Sequence, residues 1–406
     1  MTHAGSGASF SRTLRETLTA YAFNIGGLAA GFLIASQLGV FSRSNGQWAL
    51  ALYPAVIAAQ GIIQGLLSGR LSTALHLGII YPRFSSNNKS FYRLIEAAIV
   101  LTLVTSVAMS AISLVFGNLF WGITFADFPA ILSVMVATMA IGLVLLVVTV
   151  QVAFASFTWG LDPDIVVYPV MSTLATIFIT FCYVGTLNLF FFYNDIGKWT
   201  VVLLGLAHVL LIAYFLPKNL GDSDFKKTIK ESLAALMIVA IIVNLTGTIL
   251  RNIGHYANER REFYTVYPAL IGLVSDVGSV VGSTATTKLA LGMLKPKFAS
   301  IASHAKNILS AWIASLVMFA LLGFLALIIH GNLSPAAFYN HISILLVANV
   351  LAITLIVIVS FSVSILTFQK GLDPGNFVIP IENAFAASIT SVALLAALVL
   401  SNLGLV

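Results

Sequence analysis

Asp276 is a carboxylate inside an apolar stretch, with no basic residue within eleven positions on either side. An ionisable group at the centre of a bilayer costs about 2.5–3.5 kcal/mol on insertion scales, so it faces a bundle interior or water and commonly serves a cation or a proton. The plainer alternative is a hydrogen-bonded Asp that packs helices together. Glu382 is the second such group, two residues after Pro380 in the last apolar stretch. Gln64 and Asn383 add neutral oxygen donors within apolar segments. Cation or proton handling in a low dielectric is the chemistry these residues offer.

Other chemistries find little support. Most of the 14 acidic residues fall in predicted loops, and Glu96, close to Arg93, reads as an interfacial side chain that snorkels toward water. His76, His208, His255, His304, His330 and His341 are scattered without a close pair, which argues against a transition-metal site. Cys182 is the single cysteine, so neither a disulfide framework nor a CxxC zinc site is available. There is no P-loop and no nucleophile–base constellation, so an enzyme is not expected, nor a cofactor.

The elements that must position these groups are membrane helices. The chain is 59% hydrophobic and 8% charged, with a mean hydropathy of +1.01, outside the range of soluble globular domains. Apolar runs of about 20 residues, the length that crosses a bilayer, recur to the C-terminus. The expected spans are 19–40, 47–69, 94–117, 129–155, 164–187, 200–217, 233–250, 264–290, 305–330, 342–368 and 376–401, about 11 in all. Arg12 and Arg15 run directly into a full-length apolar segment, which is not the pattern of a signal peptide.

With the N-terminus placed in the cytoplasm, only Arg43, Lys198, Arg251, Arg260 and Arg261, of 20 Lys and Arg, fall on the opposite side. That bias follows the positive-inside rule. The net charge of +6 is thereby explained by topology, without nucleic acid.

The chain also repeats itself. Residues 53–78 align without a gap to 267–292, with Tyr53/Tyr267, Pro54/Pro268, Thr73/Thr287 and Gly78/Gly292 among the identities. GLDPDIVVYPV at 160–170 matches GLDPGNFVIPI at 371–381. The offsets are 214 and 211 residues, so order and spacing are kept across half the protein. The expected fold is an all-α integral membrane protein of two five-helix repeats. Residues 1–199 form the first repeat, 200–232 a linker helix and cytoplasmic loop, and 233–406 the second. If the short segment 200–217 crosses, the repeats are parallel, related by a pseudo-twofold axis along the membrane normal.

Two local patterns carry physical consequences. Gly61, Gly65 and Gly69, like Gly278 and Gly282, and Ser275, Ser279 and Ser283, recur every fourth position. Such small-residue faces let helix backbones approach closely, for packing alone or to line a pathway. In the GLDP motifs, Gly160 and Gly371 can end one helix in a left-handed turn. Asp162 and Asp373 can cap the next, with Pro163 and Pro374 in its first turn. Pro169 and Pro380, six residues on, are expected to kink that helix.

These motifs resemble the MgtE magnesium transporters, more closely the duplicated members grouped as solute carrier family 41. The resemblance is carried by Pro54-Ala55, Gly61 and Arg70-Leu71-Ser72-Thr73 in the first half. In the second it is carried by Pro268-Ala269-Leu270-Ile271-Gly272 and by Gly371-Leu372-Asp373-Pro374 with Asn376 and Pro380. Gly160-Leu161-Asp162-Pro163-Asp164 repeats the last motif. The resemblance implies a multi-pass plasma-membrane protein that moves a divalent cation, most simply Mg2+, along a path between the two repeats.

It also places differences. The aspartate that the family usually has sixteen residues after the GLDP glycine is here Thr176 and Ala387. An acidic position ten residues after the second-span proline is Gln64 and Gly278, and Asp276 stands where the family more often has asparagine. Eighteen residues precede the first expected span, so gating by the cytoplasmic domains of many bacterial members is not expected.

Mg2+ dehydrates reluctantly and is usually held through water by one or two carboxylates. The expected metal site is Asp276 for charge, with Gln64, Asn383, Ser172 and Thr176 toward hydration waters. Ser172 and Thr176 share a helix face, and Asn383 lies four residues before Ala387. Glu382, about 100° around the helix from Asn383, is not required to face the same path. Two rival functions stay open: a proton- or sodium-coupled carrier, and a non-transporting membrane partner that self-associates or joins a homologous subunit.

Overall fold

The structure, a computed structural model, describes residues 10–43, 47–76, 78–160, 163–256, 260–290, 292–371 and 378–405. Among the described residues thirteen α-helices run in order: α1 (Phe10–Tyr21), α2 (Gly27–Arg43), α3 (Gln47–His76), α4 (Lys89–Phe116), α5 (Phe128–Gly142), α6 (Val144–Thr158), α7 (Pro163–Phe192), α8 (Asn194–Asn219), α9 (Ser223–Tyr256), α10 (Arg261–Ala290), α11 (Ala305–Ile329), α12 (Pro335–Gln369) and α13 (Val378–Asn402). A 3₁₀ turn, Ala22–Gly26, separates α1 from α2. No strand occurs among the described residues. Only helices and closed barrels satisfy their own backbone groups in lipid, and this chain takes the helical solution.

Ten stretches among the described residues are long and apolar enough to cross a membrane. The eleventh expected span, 233–250, lies in α9, where the described apolar run is the shorter Val239–Leu250. α8, at 26 residues, measures about 39 Å at 1.5 Å per residue. It is long enough for the connecting span that the parallel reading requires. The expected span 129–155 is broken at Leu143, whose N–H turns back to the Ala140 carbonyl at 3.2 Å, giving α5 and α6.

Local chemistry sets several helix ends. Asn88 caps α4 by accepting from the Phe91 N–H at 3.1 Å. Ser334 caps α12 by accepting from Ala337, with Pro335 in the first turn where its missing N–H costs nothing. Gly160 and Gly371 have φ of 73° and 67°, and their N–H groups return to Phe157 and Phe368 at 3.1 and 3.0 Å. Both thus close their helices in the left-handed turn that glycine permits. Leu161, Asp162, Leu372, Asp373, Pro374 and Asn376 lie outside the described residues. Pro169 falls inside α7 and Pro380 inside α13, whose described part begins at Val378.

Two compact units emerge. One contains residues 1–28 with 256–406, the other residues 29–255. In the first, α10 packs on α11, α12 and α13, while α1 lies on α11 and the 3₁₀ turn on α10. In the second, α3 packs on α4, α5, α6 and α7, and α8 covers α4, α5 and α7. The N-terminal segment is therefore built into the bundle of the second repeat, and α9 into the bundle of the first.

Both docks use a glycine. A Cβ on Gly27 would lie 2.9 Å from the Ala269 backbone, and one on Gly247 would collide with the Ala51 carbonyl. Without a hydrophobic drive between helices in lipid, close backbone approach at small residues is a main source of association.

Candidate cation site

α10 carries the polar face of the first unit. Ser275 and Ser279, one turn apart, both point to α13. Ser275 Oγ donates to Asn383 Oδ1 at 2.5 Å, and Ser279 Oγ donates to Glu382 Oε2 at 3.0 Å. Glu382 and Asn383 therefore both meet α10 despite their angular separation, because the serines that receive them are themselves staggered by a turn. Glu382 is fully buried and its Oε1 has no hydrogen-bond partner. Gly278 opens this contact. A Cβ there would lie 2.9 Å from Ser360 Oγ on α12 and 3.4 Å from Glu382 Cδ.

Asp276 points elsewhere. Its Oδ2 accepts a 2.7 Å hydrogen bond from Asn24 Nδ2, in the 3₁₀ turn. The same Nδ2 donates to the Tyr21 carbonyl at 3.3 Å. Asn24 is buried, and its Oδ1 sits against Gly272, where a Cβ would collide with it. Tyr21 is fully buried, its hydroxyl has no hydrogen-bond partner, and it lies within electrostatic reach of Asp276.

The remaining expected ligands belong to the second unit. Gln64 on α3 is buried and accepts a short hydrogen bond from Thr149 on α6, while its Nε2 has no partner. Gln60 and Ser68 complete the same face, one turn before and after, each buried with an unpartnered polar atom. On α7, Thr176 donates to the Ser172 carbonyl at 2.9 Å, so its proton is spent within the helix and only its lone pairs are available outward. The six expected residues thus form two groups. Asp276, Glu382 and Asn383 lie in one bundle, Gln64, Ser172 and Thr176 in the other.

Sequence reasoning missed Asn24. No sequence signal singles it out, since the spacing of Asn24 and Gly27 recurs at Asn194 and Gly197 and at Asn244 and Gly247. It also missed that His330 and His341 both act electrostatically on Glu262, whose Oε1 accepts from Asn332 at 2.9 Å. Glu96 pairs with Lys218 at 2.6 Å and Asn219 at 2.7 Å, while Arg93 pairs with Asp222 instead. Among the described residues, no three His, Cys, Asp or Glu side chains cluster as a metal-binding group.

The duplicated sequence has a counterpart among known proteins. A family model of divalent cation transporters, MgtE, matches residues 53–186 and again residues 267–399. The chain belongs to the MgtE family. Comparison with curated proteins and with solved structures returns no match. The double MgtE match bears out the internal duplication, and with the apolar helices it makes this a multi-pass membrane protein that transports divalent cations. MgtE proteins are a transporter family, not an enzyme family.

Proposed function

We propose that the transported ion is Mg2+ and that Asp276 is the charged group that receives it. The supporting observation is its setting: a half-buried carboxylate on the polar face of α10, in a divalent-cation transporter, approached only by neutral groups in the contacts described. A hydrated magnesium ion needs one or two carboxylates and several neutral oxygens; Asp276 offers the charge, and Asn24 is the neutral group that meets it. The repeats 1–199 and 233–406, joined by 200–232, are the working halves. The N-terminus lies in the cytoplasm and the protein resides in the plasma membrane.

The test is flux in proteoliposomes, with Mg2+ against Co2+, Ca2+ and Na+, for the wild type, Asp276→Ala and Asp276→Asn. Loss of flux in both variants, from protein that remains monodisperse, supports the reading. Unchanged flux in both overturns it.

One observation favours a second reading. Glu382 is sealed from solvent, with only the hydroxyls of Ser279 and Ser360 beside its carboxyl group, a setting suited to a group that takes up and releases a proton. Cation movement would then be coupled to protons, and the rate would follow an imposed pH gradient.

A further inference from the structure

Asn24 of the N-terminal segment reaches α10 at Asp276, and the crossing is shaped around it. Gly27 allows the backbone to lie on Ala269, and Gly272 leaves the space that the Asn24 amide fills. Asn24 Nδ2 faces two acceptors, Asp276 Oδ2 and the Tyr21 carbonyl, which fixes the amide orientation. An N–H donor and a cation that approach the same lone pair of Oδ2 exclude one another, since both bring positive charge to it. A half-turn of the amide about its terminal torsion, a soft twofold rotor, would exchange the donor for an oxygen, the atom that hard divalent cations bind.

We propose that Asn24 is a ligand-positioning residue of the cation site. In the cation-free state its amide holds Asp276, and when the ion arrives the amide turns to present Oδ1. The inference rests on the reading of Asp276 as the cation-binding group. Tyr21 is an independent pointer to a ligand here, since its hydroxyl is fully buried, lacks a partner and lies within electrostatic reach of Asp276.

The second unit supplies an internal control. Asn244 and Gly247 repeat the spacing of Asn24 and Gly27 beside another close helix approach, yet the position 214 residues before Asp276 is Ile62. Asn244 Nδ2 donates only to the Ala240 carbonyl at 2.7 Å, and its Oδ1 is buried without a partner. The fold keeps the asparagine in both places and the carboxylate in one.

The experiment compares Asn24→Leu, Asn24→Asp, Asn244→Leu and Asp276→Asn. Mg2+ flux in proteoliposomes is measured over a range of concentrations, together with Mg2+-dependent thermal stabilisation in detergent. Asn24→Leu is expected to raise the half-saturating concentration about 10-fold or more, the usual effect of losing a group that orients a metal ligand, and to erase the Mg2+-dependent shift. Asn24→Asp is expected to restore the shift and enlarge it, because two facing carboxylates need the cation more. Asn244→Leu is expected to leave half-saturation unchanged.

Equal effects of Asn24→Leu and Asn244→Leu would overturn the proposal, as would an unchanged half-saturation in Asn24→Leu. If Asp276→Asn abolishes flux while Asn24→Leu is neutral, only the role of Asn24 fails. If Asp276→Asn is neutral, the underlying cation reading fails with it.

Discussion

Tyr267 on α10 donates its phenolic proton to Ser391 Oγ on α13 across 2.6 Å. The direction is set by Ser391, whose own proton goes to the Ala387 carbonyl at 2.8 Å. The same arrangement stands in the other unit, where Tyr53 on α3 reaches Thr180 on α7 at 2.9 Å and Thr180 donates to the Thr176 carbonyl at 2.6 Å. The positions match by the 214- and 211-residue offsets. Each repeat thus ties its second membrane helix to its last by an identical relay.

Tyr53→Phe and Tyr267→Phe should therefore behave alike. Each removes one buried hydrogen bond while the hydroxyl left behind still donates to its own helix. We expect a loss of about 0.5–1.5 kcal/mol for each, read as a modest fall in melting temperature in detergent. A large effect of one and none of the other would deny the equivalence of the relays.

The glycine docks should tolerate no side chain. Gly27→Val and Gly247→Val force backbone apart at Ala269 and Ala51, and overpacking of this kind costs about 1–3 kcal/mol or more. The expected outcome is a marked drop in folded yield on size-exclusion chromatography. Gly61→Ala is the contrast, because a Cβ there meets nothing within 4 Å. It should purify like the wild type.

Ser279→Ala removes the described donor to Glu382 and leaves a fully buried carboxyl group without it. The expected cost is about 1–3 kcal/mol. Adding Glu382→Leu to Ser279→Ala should recover much of it, since the unsatisfied group is then gone. Thermal melts of the two variants check the order; a double variant less stable than Ser279→Ala would contradict it.

His330, just past the end of α11, has its imidazole pushed below the ordinary value of 6.5 by burial, with Arg261 adding to the effect and Glu262 opposing it. The unfolded chain then binds the His330 proton more readily than the folded one. Stability must rise with pH across that window and fall as pH drops through about 6.5. Wild-type protein should melt progressively earlier from pH 7.5 to 5.5, and His330→Gln should flatten that dependence. An identical pH slope in His330→Gln would exclude His330 as its source.

Much of the architecture was legible from sequence because lipid imposes simple rules. Span length, charge bias and small-residue spacing depend on nearest neighbours along one helix, and a duplication is visible wherever two stretches align. Asp276 and Glu382 stood out for the same reason, as charges where bilayer cost forbids idle ones.

What Asp276 and Glu382 touch was decided by tertiary structure alone. Nothing in the chain announces that a residue 252 positions away will meet Asp276. That contact exists because the N-terminal segment docks on the bundle of the second repeat, driven by the fit of Gly27 to Ala269. Sequence determined which helices form and which carry charge, through local spacing and the cost of burying polar groups. The partners of those charges followed from shape complementarity between distant helices, a property that no single segment contains.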